Sequence, residues 1–137
     1  MLRRWAGRLQ QPDYPGGPID SAFELDLQSS GDKVTGEGSV AVELTPSHRG
    51  GPRQVLLKLA FDGKFFHSDF LVLHYRSGDD ASLQFGMMLL RPNVEATELA
   101  GRFVGFGAIS EHIVSGFVVL RRAEQLSNGN AKRYPPV

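Results

Sequence analysis

The 137 residues contain no cysteine. That excludes a disulfide framework, a thiol nucleophile and a cysteine-ligated zinc, and it fits a reducing, cytoplasmic compartment. No run of about 18 apolar residues is present, so no membrane-crossing helix is expected. The first residues, Met1–Gln10, lack the apolar stretch of a secretory leader. Net charge is also missing. Fifteen Lys and Arg balance fifteen Asp and Glu, which argues against a strongly electrostatic binder of DNA or RNA polymers. Finally, no segment carries a convincing apolar stripe at helical spacing.

What is present is turn-formers and alternation. With 16 glycines and 8 prolines the chain favours turns over long helices. Its length suits one domain. Phe23, Leu25 and Leu27 alternate with Glu24, Asp26 and Gln28, and period two recurs at Val34–Leu44, Val55–Phe61, Leu83–Leu89 and Val114–Leu120. Alternation of this kind marks strands with one face turned to a core.

Between these runs lie Ser29-Ser30-Gly31-Asp32, Asp62-Gly63-Lys64, Ser77-Gly78-Asp79-Asp80 and Arg91-Pro92-Asn93. Asp-Gly reads as a hairpin turn, and proline ends a strand because it cannot donate into the ladder. Glu95–Leu99 is long enough for one helical turn. Eight strands follow, at about 4–10, 21–28, 33–44, 54–61, 65–76, 81–90, 99–109 and 113–122.

Eight sequential strands with short links predict an all-β protein: an eight-stranded antiparallel up-and-down β-barrel, lipocalin-like. Residues 1–122 form that domain and 123–137 a polar tail. A two-sheet sandwich is the alternative, but it needs a longer crossover. The expected core is Phe23, Leu25, Val40, Val42, Leu57, Leu59, Leu71, Leu73, Phe85, Met87, Phe103, Val118 and Leu120.

A meander places the chain ends, 29–32, 62–64 and 91–98 on one rim. The longer loops 11–18 and 45–53, with Tyr14, His48, Arg49 and Arg53, fall on the other, the expected mouth. Residues 1–8 and 121–137 each carry a charge of +3, leaving −6 on the body. Pairing of the first and last strands would merge Arg3, Arg4, Arg121 and Arg122 into one basic seam.

Catalytic patterns are missing. His48, His67, His74 and His112 have no metal-ligand spacing, and no serine sits in Gly-x-Ser-x-Gly. Phe103–Gly107 is glycine-rich but leads into no helix, so it is no phosphate loop. We therefore expect a binding protein with no enzyme activity, no metal and no cofactor. Trp5, Tyr75, Phe85, Phe103 and Phe106 offer ring faces. Arg8, Arg76 and Arg102 lie in apolar strands, and Gln84 offers a donor and an acceptor. A planar anionic ligand suits such a set.

A longer pattern covers residues 71–122: Leu73-His74-Tyr75, Gln84-Phe85-Gly86 with Leu89, Leu99-Ala100-Gly101-Arg102-Phe103, Ile113, and Gly116-Phe117-Val118-Val119-Leu120-Arg121. A weaker echo stands at Trp5-Ala6-Gly7. This pattern resembles the lipocalin-like β-barrel sensor domain of bacterial antiviral effectors that carry two transmembrane helices and act in cyclic-oligonucleotide signalling. Two features depart from it: Gln84 stands where a histidine is expected, and the two helices are absent.

The resemblance implies a cytoplasmic barrel sensing a cyclic di- or trinucleotide. Tyr75, Gln84 and Arg102 would contact it, with Trp5, Arg8 and Arg76 nearby. A lipocalin-like or avidin-like carrier of an apolar or neutral small molecule is the rival reading. A module docking through the basic seam is the third. The oligomeric state is left open.

Overall fold

A computed structural model of the chain describes residues 2–14, 17–44, 53–67, 69–77, 83–107 and 111–123. They form eight strands and no helix: β1 (Leu2–Gln11), β2 (Ile19–Ser30), β3 (Lys33–Leu44), β4 (Arg53–Phe66), β5 (Phe70–Ser77), β6 (Phe85–Pro92), β7 (Glu98–Phe106) and β8 (Ile113–Arg122). Each strand pairs antiparallel with the next, and β1 pairs with β8, so the sheet closes as an up-and-down barrel. Closure removes the unpaired edges that an open sheet must protect.

The strands are strongly staggered. Partners followed around the ring run from Leu2 through Gln28, Thr35, Asp62, His74, Met87 and Val104 to Ser115. Ser115 lies two residues before Phe117, the partner of Gln10. The circuit thus returns level with residue 12 rather than residue 2, a stagger of about ten residues, which tilts the strands against the axis.

Inward positions follow the alternation. Trp5, Phe23, Leu25, Leu27, Val34, Leu59, Phe61, Leu71, Leu73, Leu90, Leu99, Val118 and Leu120 join one continuous core. Phe23 and Phe61 meet with ring centroids 6.0 Å apart, and Phe61 and Tyr75 at 5.9 Å, so a row of tilted rings crosses the interior. Of the expected core, Leu57 is only partly buried.

Three expectations are corrected. Phe85 and Met87 point outward and are exposed, while Met88 and Leu90 are buried. The segment Phe85-Gly86-Met87-Met88-Leu89-Leu90 is apolar at both parities, so alternation alone cannot choose its phase. Pairing with β5 chooses it: Leu73 faces Met88 and Leu71 faces Leu90, and directly opposed residues share a face.

Secondly, Asp62-Gly63-Lys64 is strand, not turn. β3 runs down to Lys33, and β4 stays paired with it as far as Lys64. The chain reverses after Phe66 instead, where His67 adopts a positive φ of 52°.

Thirdly, β8 does bring Arg121 and Arg122 beside Ala6 and Trp5, but the basic seam is partly neutralised. Arg4 pairs with Asp26 at 2.8 Å, and Arg121 approaches Glu98 at 3.9 Å. Such exposed pairs contribute little to stability, about 0–1 kcal/mol.

Proline ends β6 as expected. Asn93 then shapes the turn, its side-chain oxygen accepting from the backbone N–H of Thr97 at 2.8 Å and of Glu98 at 3.0 Å.

The β6 phase is directly testable. Met88→Ala should cost about 2–5 kcal/mol in urea unfolding, as expected for a buried methionine. Met87→Ala, one residue away on the outer face, should stay within about 0.5 kcal/mol of the parent.

Candidate functional site

The barrel is filled unevenly. A cavity of about 530 Å³, counting its open mouth, is lined by Leu9, Val40, Val42, Leu57, Leu59, Met88, Phe103 and Val114, with Gln11, Tyr14, Tyr75, Gln84 and Gly107 as its other walls. Gln11, Tyr14, Gln84 and Gly107 belong to the rim opposite the chain ends, so the cavity opens at the expected mouth. His48 and Arg49, and the side chain of Arg53, lie outside the described residues.

Tyr75 is the cavity's most constrained polar group. Its cross-strand partner on β6 is Gly86, whose own partner on β7 is Gly105. A Cβ added at either glycine would collide with the phenol oxygen. The two glycines therefore form a slot across which the tyrosine lies, and any larger residue would fill it. Within the described residues the Tyr75 hydroxyl makes no hydrogen bond. Burial pushes its pKa up from 10.0 to about 12, because the phenolate would lose its hydration. Tyr75 is thus a neutral hydrogen-bond donor across the physiological range.

Gln84 precedes β6 and is held by its backbone, since its carbonyl accepts from the Ser77 N–H at 2.7 Å. Gln11 is buried at the end of β1. Ser21 is the cross-strand partner of Leu9, and its buried hydroxyl has no hydrogen-bond partner among the described residues. The described lining holds amides, phenols and hydrocarbon, and no charged side chain.

The structure divides the six expected site residues. Tyr75 and Gln84 share the cavity. Trp5 is buried in the core but outside the cavity lining. Arg8, Arg76 and Arg102 stand on the outer wall. Arg8 pairs with Asp20 at 2.8 Å. Arg102 lies over the ring of Phe117, 4.8 Å from its centroid. Strand parity is the reason: each arginine adjoins an inward residue, Leu9, Tyr75 or Phe103, and so must point out. Gln11 and Leu57 join the lining without being among those six. The signal for Gln11 was an amide at inward parity just before the first long loop.

No protein-family model, curated protein or solved structure matches this chain. The barrel is established by its strand pairing alone.

Tyrosine ionisation tests the cavity's electrostatics. Between pH 10 and 12 the unfolded chain releases a proton that folded Tyr75 retains. The stabilisation is therefore complete below pH 10 and declines as pH rises towards 12. An ultraviolet titration should show one of the three tyrosines ionising near pH 12. That step should vanish in Tyr75→Phe.

Proposed function

We propose that this barrel is a binding protein for a small, neutral, mostly apolar molecule that carries a hydrogen-bond acceptor. The carrying observation is the Tyr75 hydroxyl: a donor that makes no hydrogen bond among the described residues, held by a glycine slot beside a largely hydrocarbon cavity whose described lining is uncharged. A ligand acceptor at this point would pair with the hydroxyl away from bulk water, where a hydrogen bond contributes most. Gln11 and Gln84 supply further polar contacts at the rim, where they select orientation. Binding pockets commonly combine an apolar lining with a few placed polar groups in this way. Eight strands leave room for one such molecule. The reading requires no catalytic group.

A cyclic di- or trinucleotide, which the resemblance to antiviral sensor barrels implies, would use the same mouth, because Tyr75 and Gln84 line it. Its phosphates would meet no cation of the described lining. Salt dependence therefore separates the two readings.

The test uses N-phenyl-1-naphthylamine, a neutral fluorescent apolar probe. It should bind with micromolar affinity, with Kd changing less than about twofold between low and high salt. Leu57→Trp, which fills the mouth, should abolish binding while the barrel stays folded by circular dichroism. Ketone competitors should lose about five- to tenfold in affinity with Tyr75→Phe, the worth of about one hydrogen bond. A silent probe, together with salt-sensitive binding of a cyclic dinucleotide, would replace the carrier with the sensor.

A further inference from the structure

The outer wall is divided as sharply as the interior. β2 and β3 present Asp20, Glu24, Asp26 and Glu37. Within the strands β5–β8 themselves the only acid is Glu98, against Arg76, Arg91, Arg102, Arg121 and Arg122, the other acids of this stretch lying in the links between strands.

Register arranges the outward residues of β6–β8 in rows. Phe85 faces Phe106, which faces Ile113; Met87 faces Val104; Leu89 faces Arg102, which faces Phe117. Phe85 and Phe106 stack with centroids 6.2 Å apart. Phe85, Met87, Leu89, Val104, Ile113 and Phe117 are each between 39% and 79% exposed. Scattered exposed apolar residues are ordinary, but a contiguous field on adjacent strands marks a contact surface.

The cations are part of this field. Arg102 lies within it, over Phe117. Arg91 lies at its end towards the chain termini, over Phe70 at 5.4 Å. Arg76, the β5 partner of Phe85, lies at the other end. None of the three makes an ion pair among the described residues. Aromatic residues, methionine and arginine are the types enriched at protein interfaces.

We propose that the outer wall of β6–β8 docks an acidic protein partner, whose carboxylates meet Arg76, Arg91 and Arg102 while its apolar side chains cover the rows between them. Charge complementarity selects this occupant. A second copy docked face to face would set arginine against arginine, and Glu98 is already engaged by Arg121. A second copy docked through its β2–β3 wall would meet the phenylalanines with Ala22, Thr35 and Ser39, which offer little apolar area. Residues 124–137 carry two cations and one acid, so they do not supply the carboxylates. A lipid surface would draw Arg102, placed amid the apolar field, into hydrocarbon, whereas surface-bound elements keep their cations on the polar side.

The test titrates the full chain with a labelled amphipathic helical peptide, a leucine–phenylalanine stripe flanked by glutamates, and with its twin bearing lysine for each glutamate. The glutamate peptide should bind at least tenfold more tightly than the twin. Met87→Asp should weaken it at least tenfold, and Arg102→Glu should reverse the order of the two peptides. Both substitutions are on exposed positions, and urea midpoints confirm that the variants fold. Equal binding of the twins, or no effect of either substitution, would overturn the proposal. So would a concentration-dependent dimer abolished by Met87→Asp, which assigns the face to a second copy. Flotation of the chain with phosphatidylglycerol vesicles would assign it to lipid and overturn the proposal equally.

Discussion

The pairing of β1 with β8 is the constraint on which the other features depend. Once Trp5 lies beside Arg122 and Gln10 beside Phe117, every strand has two hydrogen-bonded neighbours. No strand can slip without breaking two ladders, and a slip by one residue would exchange core and solvent faces along its whole length. The closed ring therefore imposes one inside and one outside on residues whose own chemistry is ambiguous. Met87 and Met88 are the clearest pair: the same side chain at adjacent positions, one exposed and one buried.

Closure with strong stagger also explains why the interior is not filled uniformly. Towards the chain termini, Trp5, Leu27, Leu71, Leu90, Leu99 and Leu120 are large side chains of the buried core. Towards the other rim, inward positions are taken by smaller or polar residues, including Ser21, Val42, Gln84 and Gly107. Gly86 and Gly105 remove side chains where the Tyr75 ring must pass. The placing of the phenol is thus the result of one choice, glycine at cross-strand partners. The rings of Phe23 and Phe61 brace the tyrosine from the filled side.

Outside the barrel, the same parity rule that carries Tyr75 inward carries Arg76 outward, and likewise Phe103 and Arg102. The arginines that the chain places beside candidate ligand contacts are therefore separated from them by the thickness of the wall. This geometry gives the molecule two surfaces of different character. The inner one is uncharged and small; the outer one on β6–β8 is broad, apolar and cationic. A ligand and a partner can occupy them without competing for the same side chains.

Much of this was legible in the residues. Strict alternation in Phe23–Leu27 and Val34–Val40 determined strands and their buried faces, because apolar and polar types alternate there without conflict. Short links, with proline at 92, determined the meander and hence the closed ring. The residues also placed the mouth, since the longer loops fall on one rim. Other features needed the tertiary structure. Asp62-Gly63-Lys64 has turn chemistry, but the hydrogen bonds demanded by a twelve-residue β3 hold it in a strand. β6 is apolar at both parities, so only its pairing with β5 decides which side is core. Tyr75 and Gln84 meet in one cavity while Arg8, Arg76 and Arg102 do not, because register and parity, which are relations between strands, decide which side of a wall a side chain occupies. Composition and spacing determine what a strand can bury; its neighbours in the closed sheet decide what it does bury.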